Sequence, residues 1–429
     1  MHSARIFVGA TATLAALLVA SAASAQESAI DAARSAAAGS AGEPTAAVAY
    51  GRALRRAGRY DDAARELRRA INMSHAAEPT IAAQWELARV AVDRRDFQQA
   101  MAACKVVLAQ QGGAARGHAC AAEAHLLWRR GTEAITETQA ALKDGVKLYE
   151  AKVAEARAQA LMMKDSEAEA AFKEAISWKP DELDAHLFYG KWLFEQGKAD
   201  AAVAELKLAV QKDAGSADAA YELGRALPPG VDALAQLERA IKERPGFTAA
   251  LVKQAEILVA LGRVAEARKA ADAAQKTGVQ DASIHLALGR VALGEGKPDD
   301  ALAAAQKALA IMANSAPAKL LQADAHAAKK DIDLALEAYQ AAYGLDHTNP
   351  DVLVHAGRAC LDNQRTTSAK AYGDKVTKEF PTHGPGWVLY GDALVADKEG
   401  KSAKAAYENA LKLTGVDQAA VKAKLSSIK

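Results

Sequence analysis

The sequence predicts an all-α protein built as a tandem array of about eleven antiparallel helix pairs. Three observations carry that expectation. Of the 429 residues, 51% are apolar but only 5% aromatic. The apolar content is therefore mostly Ala, Leu and Val, a helix-forming mixture poor in the residues that strands favour. Only 11 prolines occur, and they fall between or in the turns of the helical segments, where the missing N–H does no harm. Above all, an alanine recurs in phase: Ala63, Ala100, Ala134, Ala168, Ala202, Ala233, Ala267, Ala301, Ala335, Ala369 and Ala403. The spacings are 37, three of 34, 31, and five of 34. Self-similarity at such a period marks a repeat architecture.

Taken in order, residues 1–25 read as a signal peptide. Arg5 precedes an apolar run from Ile6 to Ala20, and Ala23-Ser24-Ala25 gives the small-x-small site before Gln26. A membrane anchor is the alternative, but the run is shorter than the roughly 20 residues that span a bilayer. Removing Arg5 leaves a chain of no net charge, against +1 for the whole sequence. Residues 26–43, rich in Ala, Ser and Gly, are expected to be a flexible leader or a weak first cap.

Residues 44–414 hold the repeats. Beside the alanine, a second small site runs from Gly51 to Gly391 in the preceding helix, and a third from Ala70 to Ala410 in the same helix as the alanine. Antiparallel helices approach closely only where both present Gly or Ala. Turns are visible as Gly58-Arg59, Gly197-Lys198, Gly262-Arg263 and Gly296-Lys297. The first unit has three extra residues around Asn72–Pro79, the sixth a shortened turn at Leu227-Pro228-Pro229-Gly230, and the third places Thr138 where a bulky residue is usual. Beyond the last unit, Val421, Leu425 and Ile428 share a helical face among lysines. Residues 415–429 therefore read as the capping helix that a stack of repeats needs.

This small-residue code at 34 residues resembles the tetratricopeptide repeat family. The last unit, with Trp387, Tyr390-Gly391, Ala403, Tyr407 and Ala410, and the fourth, with Ala168, Phe172, Ala175 and Pro180, carry the likeness best. The resemblance implies a right-handed superhelical solenoid that binds protein or peptide segments in a concave groove. It implies no catalysis and no cofactor. An accessory role in envelope polysaccharide assembly or export is the alternative. An exported, periplasmic or secreted location follows from the signal segment.

Chemistry-bearing motifs are scarce. There is no His-Glu-x-x-His, Gly-x-Ser-x-Gly or Walker A loop, and His118 and His125 fall at packing positions rather than as a metal pair. The near-neutral charge offers no field for nucleic acid. Cys104 and Cys120 lie symmetrically about Gly112-Gly113, which suits either a disulfide in an exported protein or two small buried thiols.

One residue after each second small site stands a charge: Arg52, Arg89, Glu123, Arg157, Lys191, Arg225, Glu256, Arg290, Asp324, Arg358 and Asp392. In the family this phase faces the groove. Four residues earlier an apolar row includes Val48, Trp85, Leu187 and Tyr221, and a one-turn step puts both rows on one face. The candidate ligand site is therefore Arg52, Arg89, Arg157, Lys191 and Arg225 with Trp85 and Tyr221, suited to a partner with acidic groups. A purely structural ladder of inter-repeat ion pairs is the competing reading.

Overall fold

The computed structural model describes residues 30–40, 42–74 and 76–428. The expected signal segment lies outside them. Every regular element among the described residues is helical, and the helices form two compact units, residues 30–250 and 251–428.

The first unit opens with helix α1 over residues 30–39. Part of the stretch expected as a flexible leader or a weak first cap is thus helical. Ile30 and Ala37 are buried against Tyr50 and Leu54, and Arg34 donates to the Tyr50 hydroxyl at 3.1 Å. The apolar residues at 30 and 37 are two turns apart, enough to seat one face on the first repeat. Six helix pairs follow. They are α2 (Pro44–Arg56) with α3 (Tyr60–Met73), α4 (Ala77–Asp93) with α5 (Phe97–Ala109), and α6 (Ala114–Leu127) with α7 (Gly131–Ala141). Then come α8 (Tyr149–Leu161) with α9 (Asp165–Trp178), α10 (Leu183–Glu195) with α11 (Ala199–Lys212), and α12 (Ala217–Ala226) with α13 (Val231–Glu243). The three extra residues of the first unit lengthen α4 to 17 residues. The Pro228-Pro229 turn cuts α12 to 10.

The second unit holds α14 (Thr248–Ala260), in whose first turn the division falls, with α15 (Val264–Lys276). It continues with α16 (Ala282–Gly294) and α17 (Pro298–Ile311), α18 (Ala316–Ala328) and α19 (Ile332–Leu345), and α20 (Asp351–Asp362) and α21 (Thr366–Glu379). The last pair is α22 (Gly384–Ala396) with α23 (Gly400–Leu411), capped by α24 (Gln418–Ser427). Val421 of α24 is buried, with Leu425 and Ile428 packed beside it on the last pair.

The small-residue code is the core. All eleven phased alanines from Ala63 to Ala403 have no exposed surface. Glycine at the second site admits a large partner: a Cβ on Gly190 would stand 2.7 Å from Leu206 Cγ, and one on Gly391 2.5 Å from the Tyr407 ring. Thr138, at the weak site of the third unit, is fully buried and satisfies its hydroxyl on the Ile135 carbonyl at 2.9 Å.

Each middle turn contains one left-handed residue, except in the sixth unit. Glycine holds it at Gly58, Gly197, Gly262 and Gly296, but Arg95, Arg129, Met163, Lys330, Gln364 and Lys398 hold it elsewhere. A side chain there costs roughly 1 kcal/mol, yet the turn recurs because it lets the next helix fold back. Cys104 and Cys120 are joined in a disulfide between α5 and α6, with Cα atoms 5.3 Å apart. Cys360 is a buried free thiol.

Candidate functional site

The first helix of each pair carries the charged row, and neighbouring first helices pack side by side. That packing removes most of the expected apolar stripe from the surface. Val48, Ala119, Val153, Leu187, Val252, Val354 and Val388 are all buried. Trp85 is half-buried against Ala88 and the Cys104–Cys120 pair. Tyr221 lies 5.0 Å from the Phe247 ring and under the Arg225 guanidinium. A one-turn step does put both rows on one helix face, but the neighbouring helix covers the apolar one.

In residues 30–250 the charged row is neutralised from within. Arg52 donates to Glu86 at 2.7 Å, and Arg55 binds both Glu86 at 3.2 Å and Asp93 at 2.9 Å. Glu86 is 2% exposed. Burial alone would raise its pKa, but Arg55, Arg89 and Arg52 outweigh it and hold the carboxyl below its ordinary value. Arg157 donates to both oxygens of Glu123 at 2.6 and 2.7 Å, while its guanidinium covers the Phe188 ring at 3.9 Å. Glu222 accepts from Arg225 at 2.6 Å and stands 3.8 Å from Lys191. There burial wins, and the Glu222 pKa is raised.

Other pairs cross the interior of this unit. Arg89 of the second repeat reaches Asp184 of the fifth at 3.8 Å. Arg56 of the first binds Asp213, the residue after α11, at 3.0 Å. Arg244 binds Asp218 through both guanidinium nitrogens at 2.6 and 3.0 Å, and its stem lies 3.7 Å from where a Gly58 Cβ would be. The two ends of the unit therefore meet. Asp184 and Asp218 thus take their bases from other helices, Arg89 and Arg244.

Models of the tetratricopeptide repeat match residues 48–117, 166–227, 231–291, 286–350 and 320–384, more than half of the chain. The chain belongs to the tetratricopeptide repeat family. Similar solved structures include yeast Tom70, with a TM-score of 0.47 at 13% identity, covering 90% of this chain and 95% of that one. The Cut9–Hcn1 hetero-tetramer of the APC/C has a TM-score of 0.47 at 14% identity over 97% and 95%. YrrB, a TPR protein with an unusual peptide-binding site, has a TM-score of 0.27 at 20% identity over 53% and 98%. No curated protein matches the sequence.

In residues 251–428 the row of the tetratricopeptide repeats pairs off unevenly. Arg290 donates to Glu256 at 2.6 Å. Asp324 accepts from the Tyr339 hydroxyl at 2.6 Å and bonds His355 Nδ1 at 2.9 Å. That bond raises the His355 pKa against the opposing effect of burial. Asp392 is bound through both oxygens by Lys424 of the capping helix, at 2.6 and 2.7 Å, and by the Tyr407 hydroxyl at 2.6 Å. Arg358 is thereby left at 3.9 Å from Asp392 with its side chain 49% exposed. Beside it a cleft of about 290 Å³ opens between α18, α19 and α20.

Sequence phase missed Glu86, Asp93, His355 and Lys424. Glu86 was findable as an acid 34 residues after Arg52. His118 bonds Glu137 at 2.7 Å and His125 packs 5.6 Å from the Phe97 ring, so the two do not converge. Among the described residues no group of three His, Cys, Asp or Glu side chains is placed to hold a metal, and no helix is long and apolar enough to cross a membrane.

Proposed function

We propose that the protein is a non-catalytic adaptor, exported by its N-terminal segment, that binds extended protein or peptide segments on the first-helix face of residues 251–428. Membership of the tetratricopeptide repeat family supports the adaptor class. The observation that carries the location is the cleft beside Arg358, set against the bridged interior of residues 30–250. A ligand on Arg52, Arg89, Arg157, Lys191 or Arg225 must displace an internal carboxylate first. In the second unit Arg358 offers the most loosely held base of the row, 3.9 Å from an Asp392 already engaged by Lys424 and Tyr407. Export is supported by the Ile6–Ala20 run and agrees with the Cys104–Cys120 bond.

Site-specific photo-crosslinking in intact cells tests this. A crosslinker at Ala328, which lines the cleft, is compared with one at Gln306 on the exposed side of α17. Discrete, protease-sensitive adducts from Ala328 alone are expected, in an osmotic-shock fraction. Adducts resistant to protease and removed by glycosidases would favour the polysaccharide role. Equal labelling from both positions would refute the binding face.

A further inference from the structure

We propose that the middle turns of the second, third and fourth repeats form one apolar and basic edge by which the protein rests on an anionic lipid surface. The inference goes beyond the peptide-binding face and does not depend on it. Three observations in the first unit carry it.

The first is Met163. It occupies the left-handed apex of the turn between α8 and α9, with 87% of its surface exposed. Glycine takes that apex at Gly58, Gly197, Gly262 and Gly296, and Lys330, Gln364 and Lys398 take it in the last three repeats. A polar side chain there is solvated. An apolar one adds exposed apolar surface to the backbone strain and gains almost no packing within the fold. Strain that the fold itself does not use points to a contact outside it.

The second is continuity. The Trp128 ring, in the turn between α6 and α7, meets the Phe97 ring at the start of α5 edge-on at 4.8 Å. The Arg130 guanidinium lies over that same Phe97 ring at 4.9 Å. Met162 in turn packs on Gly131, where a Cβ would stand 2.8 Å from its Cγ. The three turns therefore touch in series, and Trp128 and Met162 stay exposed beside Met163. In the last three repeats the matching pairs are Lys329-Lys330, Asn363-Gln364 and Asp397-Lys398, polar throughout.

The third is charge. Arg95, Arg129 and Lys164 stand exposed in these turns, and their side chains have no ion-pair or hydrogen-bond partner among the described residues. The nearby acids are engaged. Asp93 accepts from Arg55, Asp96 caps α5 through the Gln99 N–H at 3.0 Å, and Asp165 accepts from Gln196 at 3.2 Å. Glu133 and Glu167 lie in the first turns of α7 and α9, where the positive helix end offsets them. The uncommitted charges at the edge are thus basic and match anionic headgroups. A Trp ring, a flexible Met and the Arg and Lys stems around them can sink their carbons among headgroups and keep the charges at the phosphates.

The test is flotation of the full chain with two kinds of vesicle, phosphatidylcholine alone and phosphatidylcholine mixed with phosphatidylglycerol. Stronger partition onto the anionic vesicles is expected, falling as salt rises. Met163→Gly should weaken it about tenfold, although the change relieves the turn, so that lost binding is not lost fold. Arg129→Gln should weaken it about fivefold. Lys330→Gly, at the same apex of a polar turn, should leave it unchanged. The Ile6–Ala20 run is common to every variant, so differences from wild type read the edge alone. Circular dichroism on each variant checks folding. Partition no stronger on anionic vesicles, or unchanged in both Met163→Gly and Arg129→Gln, would overturn the lipid surface. So would a crosslinker at Met163 that captures one soluble protein and no lipid in intact cells.

Discussion

In residues 30–250 the row arginines Arg52, Arg157 and Arg225 each donate to an internal carboxylate within 2.7 Å, and Arg56 and Arg89 reach acids of distant repeats. In residues 251–428 the same row ends with Arg358 held only loosely, 3.9 Å from Asp392, because the capping helix brings Lys424 onto that acid. One repeat code therefore supports two uses of a charge. Where a base meets an acid of its own or a neighbouring repeat, the row stabilises the stack. Where the stack ends and a cap intrudes, a base is released toward solvent.

The largest expected effect lies at Glu86. Replacing it with Gln removes the buried carboxylate that Arg52 and Arg55 share and leaves Arg55, 10% exposed, with Asp93 alone, and breaking such a buried network costs about 3 kcal/mol. Because its pKa is lowered in the folded state, the stabilisation is full above the ordinary carboxyl range near ~4.3. It is lost as pH falls through the lower folded value. Chemical denaturation of wild type and Glu86→Gln from neutral pH to about pH 3 should show two curves that converge at the acid end. Parallel curves would remove Glu86 from the network.

Reducing the Cys104–Cys120 bond should cost about 3 kcal/mol for a loop of this length, confined to the repeats around α5 and α6 because such arrays couple nearest neighbours. Hydrogen exchange with and without reductant reads this out, and alkylation of both thiols in unreduced, exported protein would show that the bond does not form. The reverse direction is expected at Met163, 87% exposed and left-handed at φ 56°. Met163→Gly should raise stability by about 0.5 kcal/mol, measurable as a small rise in the denaturation midpoint.

Much of the fold was legible because packing constrains residue size at fixed phase. Ala63, Ala134 and Ala403 must be small where two helices touch, and that demand repeats every 34 residues whatever the rest of the sequence does. The charged row was legible as a row but not as a set of partners. Arg89 and Asp184 sit three repeats apart, and their meeting depends on how the stack curves, which phase alone does not encode. Glu86 stands three residues before Arg89, as Glu222 does before Arg225, so it lies outside the charged row that the phase picks out, and its pairing with Arg52 shows only in the packed helices. For residues 26–43 the sequence left a flexible leader and a weak first cap both open, because Ala, Ser and Gly outnumber Ile30; Ile30 and Ala37 are buried against the first repeat. The left-handed turns at Arg129 and Lys330 carry no glycine to announce them.

The most direct test sets Arg157→Gln beside Arg358→Gln, with thermal unfolding and peptide binding measured on both. Arg157 is three-quarters buried and doubly bonded to Glu123, so its loss should cost about 1 kcal/mol and lower the melting temperature by about 2 °C or more while sparing affinity. Arg358→Gln should leave the melting temperature within about 1 °C and weaken binding about tenfold. A stable Arg157→Gln that has lost affinity, paired with an Arg358→Gln that melts early and still binds, would contradict the division between a self-neutralised first unit and an open second one.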